Sequence, residues 1–423
     1  MIRTMKTTGL MLASGLATLA MMQPAMALDA EAFVDRIEAV YKFMGYDLAF
    51  GPATVDGDTV TIDGLTVGMT GLTEEPAQID TTLTFTGVVE NDDGSYSADE
   101  LTVPDVDTEF ASDPVGHVSL TGIVAQDLWF PPEGDTSAES LMQTMGRFAT
   151  GPLVVSRDGV EFVKIDGMEV ASDFTYAEDD SLESIVSNVS VANIWADLSI
   201  IDAIGEEASA DAESDGETPQ ASEAAAVIEA LGLTTINGNI TQSMTWTMAD
   251  GRLTIEESLI DFDNVGALNL TFDITGFTLD VLDKLYAMQS NELDPMSEEA
   301  QAQQMLMGME MARALSIAGA TVRYDDAGLA GNLLDMFAAQ SGVERAQFVQ
   351  SIKPALPVMI GEAGIPALTA MVVPELEAFL DDPQSLEVVV APPSPTSFLV
   401  LAAAAANPAG LITALGLAVT ANQ

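Results

Sequence analysis

His117 is the only histidine in the chain, and no cysteine occurs anywhere. One imidazole without thiolates falls short of the three or four nitrogen and sulfur ligands that a zinc site uses. His117 could be the base of a Ser-His-Asp triad, but no Gly-x-Ser-x-Gly elbow holds a nucleophile, so a surface or strand-end role is the plainer reading. Asp211-x-Glu213-x-Asp215-Gly216 imitates the opening of a calcium loop, yet its twelfth position is Ser222 rather than the bidentate Glu. Asp56-Gly57-Asp58 and Asp92-Asp93-Gly94 read as ordinary turns. A glycosidase needs two carboxylates at a set separation, and among 66 Asp and Glu residues sequence spacing selects none. No Gly-rich phosphate loop is present. Catalytic residues, metal ligands and cofactors are therefore all assigned as none, and the chain reads as non-enzymatic.

The remaining candidates are apolar. Asn239 to Phe277 alternates in the manner of a three-strand meander. Met244, Trp246 and Met248 recur at every second position in its first strand, and Leu268, Leu270, Phe272 and Ile274 do so in its third. A period of two sends each set to one side of a sheet, so these seven residues form the candidate face for an apolar ligand. Asp250-Gly251 and Asp263-Asn264 with Gly266 supply the two turns. Met305, Met307, Met309 and Met311 crowd one predicted helix. They suit either a compliant wall for acyl chains or another protein, or a helix packed on two sides.

Other elements must position this face. Residues 29–44 predict an amphipathic helix, followed by strands at 60–67, 79–89, 96–103 and 117–124. A second helix is expected over 138–148. There the chain repeats itself: Met44-Gly45, Gly51-Pro52 and Ile62-Asp63-Gly64 are echoed in order by Met145-Gly146, Gly151-Pro152 and Ile165-Asp166-Gly167. Such ordered matches read as a duplicated helix-plus-hairpin module. The expected units are 28–130, a second module at 138–204, an acidic disordered linker at 205–223, a helix plus meander at 224–277, and a helix-rich region at 278–423. Within the last, helices are expected at 279–289, 297–315, 329–340, 343–360, 366–380 and 396–406, with strands at 320–325, 386–391 and 415–420. The predicted fold class is α+β, with curved antiparallel sheets each fed by a short helix.

Residues 1–27 read as a cleavable signal. Arg3 and Lys6 precede an uncharged stretch, and Ala25-Met26-Ala27 ends it as a small-x-small site, which places cleavage after Ala27 and predicts a periplasmic protein. With those two basic residues removed, 11 Lys and Arg face 66 Asp and Glu. That balance argues against nucleic acid as a partner, since phosphate binding needs clustered positive charge. It also disfavours docking on an anionic membrane surface. The uncharged stretch from Phe398 to Val419 is long enough to span a bilayer, but Asn407-Pro408 interrupts it and no basic residue flanks it, so no transmembrane anchor is expected.

With its exported start, amphipathic first helix, Gly-x-x-Val hairpins and Val419-Thr420-Ala421-Asn422 tail, the chain resembles poorly characterised exported alphaproteobacterial proteins. More distantly it is similar to the β-rich AsmA and YdgA-like envelope proteins. The latter resemblance implies lipid handling in the envelope, although AsmA-type proteins keep an N-terminal membrane anchor where this chain has a cleavable signal. The leading expectation is a non-enzymatic periplasmic protein that offers an apolar face to lipid or to an envelope protein. A structural or interaction module with internally packed faces, and a carboxylate-dependent hydrolase, are the alternatives.

Overall fold

The computed structural model describes residues 28–69, 76–112, 114–200, 220–289, 297–362, 364–404 and 408–423. The signal segment with Ala27, the calcium-loop mimic up to Asp215-Gly216, and most of the acidic linker lie outside them. Helix α1 (Ala30–Phe43) begins at Asp29, whose carboxylate accepts the Glu31 and Ala32 amides as an N-cap. Strands β1 (Tyr46–Phe50) and β2 (Ala53–Asp56) form one line broken at Gly51-Pro52, and β3 (Thr59–Met69) returns beside both. Next come β4 (Ala77–Thr86) and the short β5 (Val89–Glu90). Three more broken lines follow: β6 (Tyr96–Val103) with β7 (Val106–Ser112), β8 (Val115–Leu120) with β9 (Ile123–Phe130), and, after α2 (Ala138–Leu141), β10 (Met145–Thr150) with β11 (Leu153–Arg157). The last such line is β12 (Val160–Ile165) with β13 (Gly167–Tyr176), and β14 (Leu182–Asp197) is unbroken.

After α3 (Gln220–Ala230) come β15 (Thr235–Thr247), β16 (Arg252–Phe262) and β17 (Gly266–Thr275). Then follow α4 (Leu279–Gln289), α5 (Glu298–Ala314), β18 (Ser316–Asp326), α6 (Leu329–Gln340), α7 (Arg345–Ile352), α8 (Leu356–Gly361) and α9 (Pro366–Asp381). The chain closes with β19 (Ser385–Val390), β20 (Thr396–Ser397), α10 (Phe398–Ala404), α11 (Pro408–Leu415) and β21 (Ala418–Ala421).

Among the described residues all 21 strands belong to one sheet, and every pairing is antiparallel. Where separate sheets were expected, the fold is one large curved up-and-down meander whose long strands bend at Gly and Pro. β9 pairs β10 while β8 pairs β11, so each broken line runs beside the next along both of its halves. At the first bend, a Cβ on Gly51 would lie 1.8 Å from the Asp63 carbonyl oxygen. Only glycine permits that approach, and Pro52, which lacks an N–H, follows it at the break in the ladder.

Several predicted bounds shift. The helix expected over 138–148 stops at Leu141 because Met145–Thr150 joins the sheet between β9 and β13, where ladder pairing overrides local amphipathicity. The strand expected over 117–124 breaks at Gly122, whose φ is 62°. The helix expected over 343–360 is interrupted by a 3-10 turn at Lys353–Ala355 around Pro354, which cannot donate to the helical ladder. Residues 220–223, assigned to the linker, open α3. Strand β18 is nearly twice the expected 320–325, since it pairs β17 along almost its whole length.

The main core lies beneath α1, where Phe33, Val34 and Ile37 meet Val60, Ile62, Leu83, Phe85 and Phe130. A second, smaller core joins Ala138, Leu182, Ile185, Trp246 and Leu282. The Trp246 indole N–H donates to the Phe277 carbonyl at 2.8 Å, which satisfies its buried polar end.

Asp135 anchors α2. Burial raises its pKa, but hydrogen bonds from Ser140 and Ser137 outweigh this and hold the carboxyl below its ordinary 3.8. A depressed folded-state pKa contributes stability that is present above the unfolded value and lost as pH falls through the folded one. Asp135→Asn is therefore expected to lower the thermal midpoint near neutrality and to have little effect below the ordinary carboxylate range. Parallel melts across acidic pH that show a constant difference would refute this account.

Candidate functional site

Directly opposed residues in an antiparallel ladder project from the same side of the sheet. One row of such pairs runs Val55, Val60, Phe85, Leu101, Ala125, Phe148, Val170 and Val189, apolar throughout, from β2 to β14. A second row runs Met168, Val191, Ile240, Ile260, Leu268, Tyr324, Leu386 and Ala421, from β13 to β21. Together the rows make one face of the sheet largely apolar, interrupted by Gln242 and Ser258 where the first row continues past Val189 and by the hydrogen-bonded pair Ser172–Ser187. The other face is polar, with Thr271 opposite Thr321 and Arg323 opposite Glu387. On that face Arg147 bridges Gln126 and Glu169, and its guanidinium holds the Glu169 carboxyl below the usual range.

The seven ligand-face residues fall into two environments. Trp246 and Ile274 are buried, and Met248 packs with Trp246 beside Leu279, Leu282 and Leu285 of α4. Met244, Leu268, Leu270 and Phe272 are half-buried. Register joins them to partners: Met244 to Ile255, Phe272 to Ala320 and Val390, Leu270 to Val322 and Val388. Val322, in the middle of this region, is 46% exposed. The protein's own helices thus cover part of the apolar face and leave part of it open. Val170 of the first row is also exposed, at 37%.

The period of two extends this face well beyond Asn239–Phe277. Val170, Val189, Val322 and Val388 belong to the same surface, and their strands alternate in the same way. What sequence alone does not supply is the register between strands that are far apart in the chain. Tyr324 illustrates the point. Its phenol donates to the Val265 carbonyl and to Asp326, and burial followed by the Asp326 bond pushes its pKa up. Its ring lies over Gly266, where a Cβ would meet it at 2.7 Å.

The methionine helix α5 packs on one side only, which overturns the reading of a helix packed on two. Met307 and Met311 are half-buried, while Met305 and Met309 are exposed at 70% and 52% with Leu306 between them. An open hollow of about 500 Å³ lies against Leu306, Met309 and Arg313. His117 sits on the polar face of β8, bonded to Asp107 at 2.5 Å. Among the described residues no cluster of three or more His, Asp or Glu side chains could hold a metal ion. Among those residues, too, no helix is long and apolar enough to cross a membrane.

A family model described only as "Uncharacterized protein" matches residues 259–422, the part of the chain from β16 through β21. No curated protein matches the chain.

Proposed function

We propose that this chain is an exported periplasmic protein that binds lipid without catalysing a reaction, holding acyl chains against the uncovered part of its apolar sheet face. The observation that carries this reading is the pair of apolar rows, running across most of the sheet and only partly covered by helices. Monomeric proteins seldom leave apolar surface of more than a few hundred Å² in one patch unless something binds there. The resemblance to AsmA-like envelope proteins points to the same ligand class.

The sheet's architecture is read as the product of duplication. In one unit Phe50 opposes Leu65 and Ala53 opposes Ile62; in the other Thr150 opposes Met168 and Leu153 opposes Ile165. Equivalent Gly-Pro and Asp-Gly bends therefore meet at equivalent register, which supports a common ancestor for the two.

Organic extraction of the purified protein followed by mass spectrometry tests the function. Co-purifying lipid in a roughly stoichiometric amount is expected. Protein that carries no lipid, and takes none up from vesicles, would leave the apolar face as the inner wall of a structural or protein-interaction module.

A further inference from the structure

One large aromatic residue stands where strand parity would not put it. Val189 and Val191 of β14 lie on the apolar face, and strict alternation would add Trp195 to them. The pairing with β15 instead slips by one residue, since Val191 opposes Ile240 and Ile194 opposes Gly238. Asn193, at φ 51°, takes up the extra residue of this bulge. Its amide donates to Asn239 Oδ1 at 2.9 Å, and its Nδ2 donates to Asp166 at 2.8 Å. The bulge turns Trp195 to the polar face, between Lys164 of β12 and Asn237 of β15.

There the half-buried indole borders an open hollow of about 310 Å³. Lys164, already paired with Glu161, holds its ammonium 5.0 Å from the ring centroid. Beyond the ring, toward β16, the hollow is lined by Asn237, Asn239, Asp261 and Asp263, all exposed. Close approach of β15 and β16 gathers these four. A Cβ on Gly238 would lie 2.3 Å from the Asp261 carbonyl oxygen, and the Asp263 amide donates to the Asn237 carbonyl at 2.8 Å.

We infer that this hollow binds a saccharide that carries no acidic group. An indole offers an apolar plate to the C–H face of a sugar ring, while amides donate to and accept from the hydroxyls around it and carboxylates accept from them. A phosphate or an acidic sugar would meet Asp166, Asp261 and Asp263 with the nearby ammonium already paired. The hollow lies on the opposite face from the apolar rows, so the inference does not depend on the lipid-binding reading.

The test titrates the full chain by calorimetry with trisaccharides of glucose, galactose, mannose, xylose and N-acetylglucosamine. At least one is expected to bind with a Kd below ~1 mM. Trp195→Ala is expected to weaken that binding about tenfold or more, and Trp195→Phe by less, because the phenyl ring keeps part of the plate. Asn237→Ala alters an exposed side chain, so it weakens binding while the thermal midpoint stays at the native value. Should Trp195→Ala fail to fold, Trp195→Phe and Asn237→Ala decide the matter. The assignment is overturned if none of the sugars binds, or if binding is the same in the native chain and in these variants. Spermidine bound in their place would mark the hollow as a cation site and overturn it equally.

Discussion

Phe33→Ala is expected to destabilise the protein by about 3–5 kcal/mol, the range for truncating a fully buried aromatic residue. The Phe33 side chain is 0% exposed. Its ring stands edge-on to Phe85, Tyr96 and Phe130 at centroid distances of 5.1, 5.4 and 5.8 Å, so one truncation removes three aromatic contacts as well as buried area. The surrounding strands cannot close the void readily, because Val60 and Phe85 are fixed in a ladder on both sides. Helix α1 would keep two of its attachments: the Asp29 cap, and Arg36, which donates to the Gly94 and Pro131 carbonyls. The loss should therefore show as a lower denaturant midpoint with an unchanged slope, rather than as a detached helix. A change below ~1 kcal/mol would mean that the aromatic cluster is not what fastens α1 to the sheet.

Local pattern made α1 legible. Its apolar positions recur at helical spacing, Asp29 is a good cap, and Gly45 at φ 92° ends the run. The meander was legible for a similar reason, because Leu268, Leu270, Phe272 and Ile274 alternate without a break and short turns fix the register of adjacent strands. The single sheet was not. Ala125 meets Phe148 only across the loop and α2 that separate β9 from β10, and Thr321 meets Val389 only after four intervening helices, so no local signal records those pairings. Met145–Thr150 shows the limit most clearly. Its composition fits a helix, but β9 and β13 on either side complete its hydrogen bonds as a strand.

The candidate site divides along the same line. Which residues of β15 and β17 share a side follows from parity alone. Which of them stay accessible depends on where α4 comes to rest: Trp246 and Met248 pack with Leu279, Leu282 and Leu285 of α4, whereas Leu270 and Phe272 lie outside that cluster and are half-buried. Val322 was missed because its importance comes from its neighbours Leu270 and Val388, one strand to either side, rather than from its own segment.

Val322→Asp is expected to reduce lipid retention by a factor of roughly thirty to one hundred, equivalent to ~2–3 kcal/mol, because an acyl chain would have to strip water from a carboxylate with no partner on that face. The cost to folding should be small. Val322 is already 46% exposed, so the new carboxylate keeps much of its hydration in the unliganded protein, and the change in β-propensity is worth at most ~1 kcal/mol. Val60→Asp would behave in the opposite way, since Val60 is 0% exposed beneath α1, and unfolding would precede any loss of ligand. The neighbouring substitution Thr321→Asp separates face from charge. Thr321 lies on the same strand, one residue away, and projects from the polar side opposite Thr271 and Val389. It adds the same charge within a few ångströms but leaves the apolar surface intact. Retained lipid measured side by side should fall steeply for Val322→Asp and hardly at all for Thr321→Asp. Equal losses would attribute the effect to added negative charge rather than to the apolar face, and equal retention would place the ligand elsewhere on the molecule.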